Sequence, residues 1–397
     1  MELQRTSIVT LRISKPFTHH NHPSEIVRQF TPNWFTITMG TGVLALALNQ
    51  FPGNIALLHH VGAGLWMANI VLFSLCTLLY AARWVFFTRD ALPIFGHPVM
   101  PMFLGAIPMG LATIVNGFLA FGISRFGPAA VEIALVLWWL DAALAIATGL
   151  LVPFLMFVRQ SHSIESMTGV WLLPIVPAEV TAASGGLLAV HLAGVGAAHL
   201  LLFCYVLWAV SVPLALGVLV VLFLRLVLHK LPPRDMAVSS WLALGPLGTG
   251  ALGLQLLGHD APALLGAAGL GDIGQVAHGV GIIGGLVLWG YGAWWLVMAA
   301  ATTLVYLREG LPFNMGWWGF TFPLGVYTLA TLNLGVQTGI GVFMVLGGAF
   351  VVALAGLWAL VTVRTIANGY HGRIFTAPCL AAGQKPPMVS DLVTLPS

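Results

Sequence analysis

The chain has 397 residues, 59% hydrophobic and only 7% charged, against about 25% charged in soluble proteins. A mean hydropathy of +0.96 excludes a soluble globular domain, and the small net charge of +3 comes with no basic cluster for nucleic acid. Cys76, Cys204 and Cys379 form no CxxC or Cys/His spacing, so neither a disulfide framework nor a metal site is expected.

Residues 1–30 form a polar, basic tail holding Arg5, Arg12, Lys15 and Arg28. The apolar stretch after it has no small-residue cleavage site, which reads as a retained first helix. Apolar segments then fall at about 33–51, 59–87, 99–121, 128–158, 170–191, 195–228, 239–257, 275–307, 316–333 and 337–364, each long enough to span a bilayer. Short segments of roughly 20 residues alternate with long ones of roughly 30. The short ones carry Pro and Gly, which predicts an inner ring of broken helices inside an outer ring of long ones. The membrane domain is placed at 31–366 and a second tail at 367–397. From about Ile374 that tail is weakly patterned and expected to be disordered.

Lys and Arg set the predicted orientation. The two tails and the connections after each long segment hold fourteen of the fifteen, and the remaining connections hold only Arg125. This bias predicts cytoplasmic N- and C-termini in the plasma (inner) membrane.

The breaks of the short segments align at Met39, Pro108, Pro177, Pro246 and Pro323, with spacings of 69, 69, 69 and 77 residues. A bulky residue (Trp34, Phe103, Trp171, Trp241 or Trp318) precedes each break by five or six places. A proline inside a helix removes a backbone donor and kinks the chain, and in hydrocarbon such breaks line cavities. Pro108, Pro177, Pro246 and Pro323 are therefore expected to be kinks. The predicted fold is all-α and integral to the membrane: ten transmembrane helices, as five helical hairpins in a pseudo-fivefold arrangement around a central pore.

One residue before the breaks stand Thr38, Ile107, Val176, Gly245 and Phe322; two after stand Thr41, Gly110, Glu179, Gly248 and Gly325. Positions three apart share a helix face, so these ten are expected to line the pore. The alternative for the glycines is close helix packing. Phe322, the only aromatic of the set, is a candidate hydrophobic constriction, the alternative being an ordinary packing ring. Glu179 is the one carboxylate; intramembrane acids are costly and usually functional or paired, so it is either a proton-coupling group or a hydrogen-bonded structural acid. Asp141, in WWLDAALA, is expected to meet a polar neighbour away from the pore. His59, His60, His199 and His278 begin long helices on the outer side, where they could sense pH; adjacent His59 and His60 point apart and make no shared metal site. No catalytic triad, nucleotide loop or HExxH occurs, so a membrane enzyme lacks support, and the short loops offer no receptor surface.

The stretches FTPNWFTITMGTG (30–42), HPVMPMFLGAIPMGLATIVNG (97–117), WLLPIVPAEVTAASGG (171–186) and FNMGWWGFTFPLGV (313–326) resemble the tellurite-resistance/dicarboxylate transporter family, which includes the plant slow anion channel. The resemblance implies a homotrimer of ten-helix subunits, each with its own anion pore closed by a phenylalanine that falls on Phe322. FLGAIPMG and NMGWWGFTFPLGV look most like the sulfite efflux pumps of that family, and the malate transporters are also similar. The expected activity is export of a small inorganic anion such as sulfite, with a C4-dicarboxylate as the alternative and no cofactor. With no fixed cation on the axis, selectivity is expected from backbone dipoles, pore width and hydroxyls such as Thr38, Thr41 and Thr249.

Overall fold

The computed structural model describes residues 22–381, and every regular element among them is helical. In chain order the principal helices are α1 (Thr36–Asn49), α2 (Ala56–Phe86), α3 (Ala106–Gly117), α4 (Pro128–Val158), α5 (Pro177–Ala189), α6 (Val195–His229), α7 (Leu244–His259), α8 (Gly271–Glu309), α9 (Thr321–Thr338) and α10 (Gly341–Tyr370). Each predicted apolar segment coincides with one of them. Seven stretches are long and apolar enough to cross a membrane: the five even-numbered helices, Met100–Phe126 and Arg234–His259. The protein is a multi-pass helical membrane protein.

The odd-numbered helices are each entered through a tighter 3-10 piece: Pro32–Phe35, Met100–Gly105, Gly169–Leu172, Arg234–Ala243 and Met315–Phe320. The predicted breaks lie where one helix type gives way to the other. The prolines do not act as the expected mid-helix kinks. Pro108, Pro246 and Pro323 are the third residues of α3, α7 and α9, and Pro177 is the first of α5. A first-turn residue has no intrahelical acceptor for its N–H, so proline costs nothing there. Interior prolines do occur in two long helices, Pro153 in α4 and Pro213 in α6.

Burial separates the two sets. In the most apolar stretches of the even helices 17–33% of residues are buried, against 67% and 83% in those containing α3 and α7. The odd helices form the inside, and their contacts close on themselves: α1 packs on α3, α3 on α5, α5 on α7, α7 on α9, and α9 back on α1. Each even helix packs on the odd helix before it and on the one after it, with α10 reaching α1. Tryptophans tie these pairs: Trp241 Nε1–H donates to Thr303 Oγ1 of α8 (2.9 Å) and Trp318 Nε1–H to Thr365 Oγ1 of α10 (3.1 Å).

The 3-10 pieces all begin at one face, where the start and end of the described chain meet. Arg83, fully buried at the end of α2, donates to the carbonyls of Phe30 (2.7 Å) and Asp90 (3.0 Å) and lies 3.5 Å from Cys379 Sγ. Arg225, at the end of α6, likewise donates to the Glu165 carbonyl from Nε and Nη2 (3.1 and 2.7 Å). Both cations therefore bind loop carbonyls as well as contributing to the charge bias.

One expectation is overturned for the part of the second tail that is described: residues 374–381 are ordered against the body, while 382–397, like 1–21 of the first tail, lie outside the described residues. Ile374, Phe375, Ala377 and Cys379 are buried, Phe375 stacks on Trp34 with ring centroids 4.7 Å apart, and the Ala377 N–H donates to Gln29 Oε1 at 2.7 Å. Alternate apolar residues find a groove on the terminal face, a long-range match that local composition does not reveal.

Candidate functional site

A cavity of about 510 Å³ opens on that face. Much of its wall is made of residues three apart along the start of each inner segment, with Val99, Val238, Met315 and Trp318 between them. The runs are Asn33, Thr36 and Met39; His97, Met100 and Phe103; Val170 and Leu173; Met236, Ser239 and Leu242; and Phe313, Gly316, Gly319 and Phe322. A 3-10 helix has three residues per turn, so positions i and i+3 eclipse and form one stripe. Asp235, Asn314, Arg373 and Thr376 add polar groups at the mouth.

The lining extends no further along the inner segments than Met39, Phe103, Leu173, Leu242 and Pro323. The side chains of Phe322 and Met39, each 3% exposed, stand at this closed end. They are neighbours around the ring, because a Cβ on Gly40 would strike Thr321 and Trp318. FTPNWFTITMGTG lies over FNMGWWGFTFPLG with Thr38-Met39-Gly40 on Thr321-Phe322-Pro323. The first repeat is thus one residue out of the assumed register, and Met39 rather than Thr38 matches Phe322.

Of the residues expected to line the pore, only Phe322 lines the cavity. Thr38 donates to the Phe35 carbonyl (2.7 Å) and abuts Gly110 across α1–α3. Thr41 accepts from Trp358 Nε1–H (3.1 Å) on α10. A Cβ on Gly248 would lie 2.7 Å from the Tyr327 nitrogen, and one on Gly325 would strike Val43. Gly110, Gly248 and Gly325 are therefore packing glycines at helix contacts, a correction to the pore-lining expectation. The expected face was continued past the break, where α-helical periodicity turns it toward neighbouring helices. Val176 and Gly245 follow Leu173 and Leu242 by three, continuing their stripes beyond the cavity. A Cβ on Gly245 would meet nothing within 4 Å. Ile107 is half-buried and off the cavity wall.

Glu179 is fully buried, and neither carboxyl oxygen has a hydrogen-bond partner. Residues 179, 183 and 186 share a helix face. Ala183 and Gly186 meet α7 at Gly253 and at Leu256–Leu257, which places Glu179 on the α5–α7 contact rather than on the cavity wall. One turn before Gly253 on α7, the Thr249 hydroxyl is also buried without a partner. Asp141 meets the polar neighbour expected of it, with Thr181 Oγ1–H donating to its Oδ2 at 2.6 Å. His59 pairs with Asn49 Oδ1 (2.7 Å) and His60 with the Ala56 carbonyl (2.6 Å), and no metal-binding group of three occurs among the described residues. The sequence reading missed Met39, His97 and Arg373; the register of the first repeat would have given Met39, but nothing local marked the other two.

A ring of inner helices enclosing a solute-sized chamber that stops at a buried aromatic defines a multi-pass membrane transport protein. The chain belongs to the SLAC1 voltage-dependent anion channel family, whose model matches residues 29–366. It is similar to the sulfite efflux pump of Arthroderma otae, 39% identical over 354 residues, covering 88% of this chain and 93% of the relative. The sulfite efflux pump of Trichophyton rubrum is 38% identical over the same shares. The malic acid transport protein of Schizosaccharomyces pombe is 23% identical, covering 85% of this chain and 78% of its own length. Transport, not catalysis, is the activity of this family.

Proposed function

We propose that the chain exports sulfite through a passage along the axis of the inner ring, with Phe322 as its gate. The observation that carries the reading is the chamber, lined by all five 3-10 entries and stopping at the Phe322 ring. Similarity to sulfite efflux pumps over nearly nine-tenths of the chain supports the substrate. The closed circuit of contacts supports ten spans arranged as five hairpins in pseudo-fivefold order. Three copies assemble as a homotrimer in the plasma membrane. Both termini are cytoplasmic, a placement the fourteen-to-one cation bias supports, so the chamber opens inward and receives the anion for export.

The physics of the gate is simple. An anion entering the chamber exchanges part of its hydration for hydroxyls and backbone dipoles, and no fixed cation at the closed end traps it. The Phe322 ring presents an apolar, negatively polarised face that excludes both water and anion until it turns aside. Pro323 follows it without loss of a helix bond, so motion of the ring need not unwind α9. Malate is the second reading, favoured by the malic acid transporter among the relatives.

The test is anion flux in liposomes holding the purified protein, with sulfite, malate, chloride and nitrate compared and Phe322→Ala alongside. Sulfite flux that rises in an assembled Phe322→Ala protein is the expected result. Malate preferred over sulfite would exchange the two substrate readings. Flux unchanged in Phe322→Ala would remove the gate.

A further inference from the structure

His97 stands at the mouth of the cavity with its ring on the wall. Its Nδ1 accepts two backbone N–H groups, those of Val99 and Met100, each at 3.1 Å. Both are donors, so Nδ1 carries the lone pair and the ring proton sits on Nε2. No protein atom among the described residues hydrogen-bonds Nε2. The ring is thus fixed in one tautomer and orientation, with a neutral N–H donor left over beside a 510 Å³ chamber.

We infer that His97 is an oxyanion-binding residue, donating from Nε2–H to the substrate at the mouth before it reaches Phe322. The inference rests on the anion-transport reading above. Around it, Asn33, Ser239 and Thr376 supply further neutral polar groups, while Arg373 and Asp235 place one charge of each sign on the wall. Neutral donors suit a conduit, since a site must bind well enough to strip water and weakly enough to release. A lone lysine would hold a divalent oxyanion too tightly. Protonating Nδ1 would forfeit two hydrogen bonds, and partial burial also pushes His97 below the usual histidine pKa. Both effects favour the neutral ring, with its donor on Nε2.

A rival account is purely structural: His97 follows the 3-10 turn Leu92–Gly96, and its Nδ1 caps the start of the entry Met100–Gly105. Two substitutions separate the accounts. His97→Asn keeps an acceptor near the Nδ1 position for Val99 and Met100, but its amide does not reach the Nε2 position. His97→Gln reaches the Nε2 position with a donor, but leaves the two backbone N–H groups without their acceptor. Flux is measured against sulfite concentration supplied on the cavity side, with thermal unfolding of each protein in detergent.

For His97→Asn the expected result is a roughly tenfold rise in half-saturating sulfite, the worth of one hydrogen bond to a charged group, with maximal flux and unfolding temperature unchanged. For His97→Gln the expected result is a lower unfolding temperature with near-parental half-saturation. Parental half-saturation in His97→Asn would leave only the cap and overturn the inference. His97→Ser, whose hydroxyl also accepts, serves in its place if the Asn protein does not assemble. Absence of sulfite flux in the parental protein would overturn the proposed function, and this inference with it, before any variant is compared.

Discussion

Gly248 and Gly245 lie three residues apart on α7, and alanine at each should do opposite things. A Cβ at Gly248 would lie 2.7 Å from the Tyr327 nitrogen, 2.9 Å from its Cα and 3.1 Å from the Val326 carbonyl carbon. All three are backbone atoms of α9, so no rotamer change relieves the contact. Tyr327 is itself fixed, fully buried, its hydroxyl donating to the Trp289 carbonyl at 2.8 Å and its ring stacked on Trp289. Reaching an ordinary contact of about 3.5 Å requires α7 and α9 to part by close to an ångström, and the ring of inner helices is closed on both sides. Overpacking of this kind costs about 1–3 kcal/mol. At Gly245 a Cβ would meet nothing, so only the helix-propensity gain of up to about 1 kcal/mol applies. Since either alanine gains propensity, the difference between the variants isolates the steric term. Denaturant unfolding in mixed micelles should find Gly248→Ala less stable than Gly245→Ala by about 1–3 kcal/mol. Gly245→Ala should fold normally and pass less anion, because its methyl enters open space beyond Leu242. If Gly248→Ala proved as stable as Gly245→Ala and the more poorly conducting of the two, Gly248 would face the passage and the packing assignment would be wrong.

Glu179→Gln should retain anion flux, because Glu179 lies on the α5–α7 contact off the cavity wall; its carboxyl has no protein partner, and a pH response of flux that survives the substitution would rule out proton coupling through it. Arg83→Met should destabilise the protein by about 3–5 kcal/mol, two charge-assisted hydrogen bonds to the Phe30 and Asp90 carbonyls being lost at a fully buried site, and unfolding at parental denaturant concentration would refute that role.

Periodicity and charge placed the helices well: the segment expected at 128–158 is α4 to the residue, and other boundaries moved by up to seven residues, chiefly where a 3-10 entry precedes the helix. Long apolar runs carry this information locally. The face of the inner segments was harder, because each is entered through a 3-10 piece. Gly316, Gly319 and Phe322 form a stripe at three residues per turn, and that stripe ends where α-helical spacing begins. Reading on past Pro323 at the same spacing led to Gly325, which instead receives Val43 of α1. In α-helical terms Gly248 and Gly110 look like room for a pore, yet their space is filled by another helix. Only three-dimensional proximity separates the two uses of a glycine. The same holds for residues 374–381, whose partners Trp34, Gln29 and Arg83 lie some three hundred positions away.

The closed circuit also has a consequence for how the chain is made. α1 emerges first, but the neighbour that completes its packing, α9, is separated from it by about 270 residues. At 5–20 residues per second, synthesis of that interval takes roughly 15–55 seconds. Throughout it the edge of α1 bearing Gly40 and Val43 is without the helix that will cover it, while each hairpin between is joined as it appears. The nascent protein is an open arc with two unlike ends, and Met39 and Phe322, which stand together at the closed end of the cavity, sit one on each end. The inner circuit of contacts therefore closes in a single last step, when Thr321 meets Gly40 and the arc becomes a ring.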